Sequence, residues 1–285
     1  MFTLTAENAY GERLELTHNP SYTITSIIGL SPADAQINTT KNAGFDGSTF
    51  NSSYVNERSV SITLMINSPA EENRIKLYKY FKLGSPIRLY YQNGIRDTYL
   101  DGYVQNEPIE LFNTKPREVA QITIICPMPF FVGSEDDIQS FSGAEPLFEF
   151  PFSIAAEGIP FSELVTLQEQ NIINHGDVEV GCTFEIHALG NVSYPKIYNS
   201  ITQEHIYVNQ TMTSGDTIKI NTIRGQKSIY LIDHNNVKTN IIGKFVPGSA
   251  WLQLAPGDNL FIVDANTGAQ NMTVTVKTIN RYEGV

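Results

Sequence analysis

The turn signals of this chain constrain its fold more than any other feature. From Glu163 onward they recur as Gly176-Asp177, Gly190-Asn191, Ser214-Gly215-Asp216, Asn235-Asn236, Pro256-Gly257-Asp258 and Asn266-Thr267-Gly268. The stretches between them read as strands of roughly five to eight residues, and many short strands joined by polar turns specify a β-sandwich or jelly roll. No internal repeat of about 20–50 residues is present, which excludes a propeller or solenoid. Thr, Ile, Val, Tyr and Phe recur throughout, and their branched or flat side chains suit a pleated, half-buried surface. With 285 residues, 41% of them hydrophobic, the chain is long enough for two cores.

The first half is also strand-rich but differently organised. Arg13-Leu14-Glu15-Leu16 and the run from Tyr22 to Leu30 alternate polar and apolar residues, with Asn19-Pro20 as a turn between them. From Asn38 to Asn56 the chain becomes rich in Asn, Gly, Ser and Thr around Gly44-Phe45-Asp46-Gly47, yet carries Phe45, Phe50 and Tyr54. Such a stretch is too polar to enter a core, and it reads as a long hairpin arm that reaches a neighbouring subunit through its aromatics. The next strand places Val60, Ile62, Leu64 and Ile66 on one core face.

Ser68-Pro69-Ala70-Glu71 predicts a helix start, with Ser68 as N-cap, Pro69 at the first helical position and Glu71 closing a capping box. Gly84 ends this helix, Lys76, Lys79 and Lys82 lie toward its negative end, and Ile75, Leu77, Tyr78 and Phe81 form its packed side. Asn93-Gly94 predicts a hairpin with a type I′ turn. The strand from Val119 to Cys126 is stopped by Pro127-Met128-Pro129, and residues 132–160, rich in Gly, Ser, Pro and acidic residues, read as a linker that becomes the first, irregular strand of a second domain. The expected organisation is an N-terminal β domain over 1–133 and a C-terminal β-sandwich over 134–285.

Charge and motifs exclude several functions. The net charge is -11, with 11 Lys+Arg against 13 Asp+Glu up to Gly133 and 8 against 17 from Ser134 onward. Nucleic-acid binding needs basic patches that displace phosphate counterions, so no nucleic-acid partner is expected. No apolar run approaches the roughly 20 residues of a membrane span, and no charged segment leading into an apolar one opens the chain. Cys126 and Cys182 read as buried reduced thiols. The Walker, Gly-x-Ser-x-Gly, dinucleotide and EF-hand patterns are absent, and no His/Cys cluster has zinc spacing. His175 with Asp177 reads as turn chemistry rather than a dyad. The expectation is a non-enzymatic chain with no catalytic, metal or cofactor residues, whose single Trp251 occupies a core or core-edge position. The alternative is a carbohydrate-binding module contacting host cell-wall glycans through Trp251.

The order of these features resembles the distal tail proteins (Dit) of siphophages and related prophages, which form a baseplate hub. In the first half the resemblance rests on the strand from Ile24 to Leu30, the Gly44-Phe45-Asp46-Gly47 loop, and Arg58 leading the strand to Ile66. It continues through the helix ending at Gly84 and the closing Cys126-Pro127-Met128-Pro129-Phe130-Phe131. In the second half it rests on the runs Ile173 to Gly181, Tyr194 to Asn199, Ser214 to Thr222, Trp251 to Asn259 and the terminal Tyr282-Glu283-Gly284-Val285. The resemblance implies a mainly β fold: an N-terminal belt domain with one helix and the arm, and a galectin-like C-terminal sandwich. It further implies a homo-hexameric ring at the distal tail tip of the virion, made soluble in the host cytoplasm. That ring joins the tail tube protein to the tip protein and receptor-binding proteins, with Phe45, Phe50, Tyr54 and Arg58 at the subunit interface. Galectin resemblance is a matter of fold and carries no sugar binding with it.

Overall fold

A computed structural model of the chain describes residues 2–44, 46–110, 118–140, 142–146, 162–166 and 169–285. The fold is mainly β, as expected, and separates into two compact units: Met1–Ser134 with Arg281–Val285, and Glu135–Asn280.

The first unit is built on β1 (Thr3–Asn8), β2 (Arg13–Glu15), β3 (Tyr22–Ile28), the arm strands β4 (Ala35–Thr40) and β5 (Thr49–Val55), and β6 (Arg58–Ile66). Helix α1 (Ala70–Tyr80) follows, then β7 (Pro86–Gln92), β8 (Asp97–Asn106), β9 (Ile109–Glu110), β10 (Glu118–Cys126) and β11 (Phe131–Gly133). The main sheet has the order β2-β1-β7-β8-β10-β6-β3, with β9 on β10 and β11 on β8. β11 also pairs with the C-terminal Arg281–Tyr282.

The core follows the alternation read from the sequence. Val60, Ile62, Leu64 and Ile66 of β6 are fully buried, beside Ala120, Ile122 and Ile124 of β10. Leu77 and Phe81 of α1 pack into the same core. The helix is tied down by phenols as well: Tyr22 donates to the Asn73 carbonyl at 2.9 Å, and Tyr80 donates to the carbonyls of Ala6 and Glu12.

Three local expectations are corrected. Pro69 itself takes the N-cap, with extended backbone and no side-chain cap. Ser68 is thereby pushed one position outward and Glu71 sits at the second helical position, so the capping box cannot close. Ile75 and Tyr78 are each 47% exposed, because the buried stripe runs through Asn73, Leu77 and Phe81 at a spacing of four. The β7–β8 connection is a four-residue loop from Asn93 to Arg96, in which neither Asn93 nor Gly94 has positive φ. The Asn93 side chain accepts from the N–H groups of Ile95 and Arg96 at 2.8 and 2.7 Å, which builds the turn without the type I′ geometry.

The second unit contains β12 (Asp137–Ser140), β13 (Ser142–Pro146), β14 (Ser162–Thr166), β15 (Glu169–Asn174), β16 (Val180–Gly181), β17 (Thr183–Ala188) and β18 (Val192–Asn199). It continues with β19 (His205–Tyr207), β20 (Thr211–Met212), β21 (Thr217–Asn221), β22 (Ser228–Ile232), β23 (Lys238–Asn240), β24 (Gln253–Leu254), β25 (Gly257–Thr267) and β26 (Met272–Thr278). A six-stranded antiparallel sheet, β12-β26-β17-β21-β22-β23, and a second one, β15-β25-β18-β19 with β20, share one apolar core. Phe184 of the first sheet meets Phe261 of the second edge to face at 5.7 Å. Of the segment read as a linker and first irregular strand, residues 132–133 belong to β11, 137–140 to β12 and 142–146 to β13, while 141 and 147–160 lie outside the described residues.

Candidate functional site

The arm leaves the first unit as a separate two-stranded sheet of β4 and β5, running from the pair Ala35–Val55 to Thr40–Thr49. Almost every residue in it is exposed, including Ile37 at 59%, Phe50 at 61% and Tyr54 at 57%. The ladder is lined by short polar pairs: Asn38 to Ser52, Asn51 to Thr40 and Asn42 to Thr49. A register shift beside Asn38 sets Phe50 opposite Thr39 and Tyr54 opposite Gln36. Side chains alternate along β4, so Phe50 shares a face with Ile37 while Tyr54 lies on the other face. Both faces of the arm therefore carry exposed apolar groups. Phe45, expected at the tip, lies outside the described residues.

Arg58 is not an arm residue. It begins β6, is 2% exposed, and braces the root from which the arm springs. Its Nε donates to the Pro129 carbonyl and its Nη1 to that of Gly29, both at 2.6 Å, with further bonds to the carbonyls of Ser31 and Glu283. The guanidinium also lies 4.8 Å from the centre of the Phe131 ring. Burial pulls the pKa of Arg58 down from the ordinary guanidinium value, and four carbonyl dipoles stabilise the cation in place of water.

The same root explains Gly29. Its φ is +97°, and a Cβ there would stand 2.1 Å from the Ser59 carbonyl oxygen, so only glycine permits this approach. The C-terminal segment completes the lock: Val285 N–H donates to the Leu30 carbonyl, and Arg96 donates to the Gly284 carbonyl while stacking on Tyr282 at 4.3 Å. No local sequence signal pointed to this role for Arg58, Arg96 and residues 281–285, because the partners are backbone carbonyls remote in the chain.

In the second unit Trp251 is partly buried against the core, as the core-edge reading had it. Phe245 stacks on it at 4.7 Å, and the Lys227 ammonium lies 5.5 Å from the ring centre. His175 and Asp177 belong to a turn in which the Asn174 side chain accepts from Gly176 N–H at 2.9 Å and donates to the carbonyls of Val178 and Leu254. Cys126 and Cys182 are buried free thiols, each pushed up to about 12 by burial. Among the described residues no group of three His, Cys, Asp or Glu side chains could hold a metal ion, and no helix is long and apolar enough to cross a membrane.

Residues 175–282 match the family model described as the siphovirus-type tail component, C-terminal domain, of the SPP1 Dit type. The matched segment is 108 of the 285 residues and, but for its last two, lies in the second unit. The crystal structure of SPP1 Dit, described as a paradigm of the hub adsorption apparatus in phages infecting Gram-positive hosts, has a TM-score of 0.67 at 10% identity. The match covers 98% of this chain and 99% of that one. A chain of the phage P2 baseplate in its activated conformation with Ca has a TM-score of 0.50 at 11% identity, covering 97% of this chain and 98% of that one. At these identities the likeness is one of fold. No curated protein sequence matches the chain.

Proposed function

We propose that this protein is the non-catalytic hub of the distal tail tip, in which six copies close a ring through heterologous contacts made by the arm. The observation that carries this reading is the arm itself: a two-stranded hairpin with apolar groups on both faces, standing on a root held by a buried guanidinium. An isolated hairpin of two strands is marginal in water, so it needs a surface to lie against. A head-to-tail contact that closes on itself gives a ring. The description of SPP1 Dit as a hub supports the same reading.

In this assembly Phe50 and Tyr54, with Phe45 at the tip, bury against the neighbouring copy. Arg58 acts from behind by fixing the angle at which the arm leaves. The first unit joins the tail tube protein to the tip protein, and the acidic second unit stays in solvent toward receptor-binding proteins, with neither nucleic acid nor membrane as partner. The hub is made soluble in the cytoplasm of the bacterial host and built into the distal tip of the virion.

Light scattering on the purified full chain tests the proposal. The expected mass at high concentration is about 190 kDa, six times the 31.8 kDa chain. A chain that stays monomeric at every concentration and also fails to bind tail components would refute it.

A further inference from the structure

Outside the arm, the most distinctive surface of the first unit is a groove beside α1. Four of its 12 basic residues, Arg74, Lys76, Lys79 and Lys82, fall within nine positions of the chain. Arg74 is used internally, in an ion pair with Glu118 at 3.1 Å. Lys76, Lys79 and Lys82 form no ion pair among the described residues, in a protein of net charge -11. Lys76 and Lys79 line one wall of a groove of about 500 Å³. Glu12, Arg13, Leu14, Asn19, Ser21, Tyr22 and Tyr80 complete its lining.

The chemistry of this groove is selective. Both phenols are already committed to backbone carbonyls, those of Asn73 for Tyr22 and of Ala6 and Glu12 for Tyr80. Tyr80, half-buried, therefore offers apolar ring surface rather than a free hydroxyl, and the buried Tyr22 forms the floor. Arg13 is held by Glu7 at 2.6 Å and Glu12 accepts from the Asn8 side chain at 2.8 Å, so the groove sets the two lysines that form no ion pair against a single carboxylate. A lining of the Tyr80 ring and Leu14 beside two lysines fits an extended peptide that alternates carboxylates with an apolar side chain.

We infer that the groove between α1 and the β2–β3 connection docks an acidic peptide segment of a partner protein in the tail. The occupant is chosen by charge complementarity. The inference is independent of the arm, although it rests on the reading of the chain as an assembly hub.

The test uses the full-length protein and a fluorescein-labelled peptide in which glutamate alternates with phenylalanine, read by fluorescence anisotropy at low salt. Reversing two rim charges in Lys76→Glu/Lys79→Glu is expected to weaken binding by about tenfold or more, and raised salt is expected to weaken the wild-type complex. Lys227→Glu in the second unit is expected to leave binding within about twofold. Both lysines are on the helix surface, so the variant should keep the wild-type circular dichroism and melting temperature. Equal binding by wild type and double variant would overturn the inference, as would equally tight binding of a peptide with serine in place of phenylalanine. If the double variant loses self-association in light scattering while the peptide never binds, the occupant is a second copy and the assignment to a partner peptide fails. A lost ring with intact peptide binding would count against the hub reading and leave this one standing.

Discussion

Replacing Arg58 with alanine should destabilise the first unit selectively. The side chain makes four hydrogen bonds to carbonyls of Gly29, Ser31, Pro129 and Glu283 and is 2% exposed. A hydrogen bond from a charged donor contributes about 1.5–3 kcal/mol, a gross sum of roughly 6–12. Against this stands the desolvation of the guanidinium, several kcal/mol, which the alanine variant no longer suffers. What remains is the loss of packing on Phe131 and four carbonyls without their donor, a net destabilisation of about 3–5 kcal/mol. That is a large part of the stability of an ordinary domain.

Urea unfolding resolves the two units spectroscopically, because the single tryptophan, Trp251, reports the second. Of the 14 tyrosines, Tyr194, Tyr198, Tyr207 and Tyr230 lie in the second unit, so near-ultraviolet dichroism of tyrosine weights the other ten, in the first. The midpoint of the tyrosine signal should fall and that of Trp251 fluorescence should hold. A change below about 1 kcal/mol, or a loss confined to the Trp251 transition, would refute the brace.

Other consequences follow from particular groups. Glu107 is pushed up to about 7 by burial, and its Oε1 has no hydrogen-bond partner. The folded state thus keeps a proton that the unfolded chain releases near the ordinary value of 4.5. Its contribution is full below that pH and is lost as pH rises through about 7, by about 2 kcal/mol. Denaturation midpoints at pH 5 and pH 8 should differ accordingly, and Glu107→Gln should flatten the difference. Gly29→Ala should lower the stability of the first unit by about 2 kcal/mol or more, since the added carbon meets the Ser59 carbonyl at 2.1 Å and φ is +97°; an unchanged melting curve would count against it. The thiols of Cys126 and Cys182, both pushed up to about 12, should resist an aromatic disulfide reagent at pH 8 and react only after unfolding.

Much of the fold was legible because its signals are local. Alternation in β6 placed Val60, Ile62, Leu64 and Ile66 inside, and the polar stretch after Asn38 marked a segment that the core could not accept. Turn chemistry was legible in residue type but not always in geometry: Asn93-Gly94 does turn the chain, yet the Asn93 side chain closes a four-residue loop in place of the shorter type I′ connection. Helix periodicity admitted Ile75 and Tyr78 to the packed side, whereas the contacts that decide the buried stripe come from β1, β3 and β6 and are invisible to a local pattern.

Arg58 exposes the limit most clearly. An arginine next to an aromatic-bearing polar loop reads as an interface residue. Its burial depends on carbonyls at positions 29, 31, 129 and 283, and no spacing rule connects those. The return of Arg281–Tyr282 to the sheet of the first unit is of the same kind: a two-residue strand has no sequence signature. Phe50 and Tyr54 were legible as exposed, but the register shift that sends them to opposite faces was not.

The central claim is that the arm builds the ring, and the most direct measurement is the native mass of the full chain beside a variant lacking residues 42–53. The intact protein should give a hexamer. The variant, with Trp251 fluorescence and tyrosine dichroism unchanged, should give a monomer. A hexamer that survives the deletion, or an intact chain that never assembles, contradicts the account.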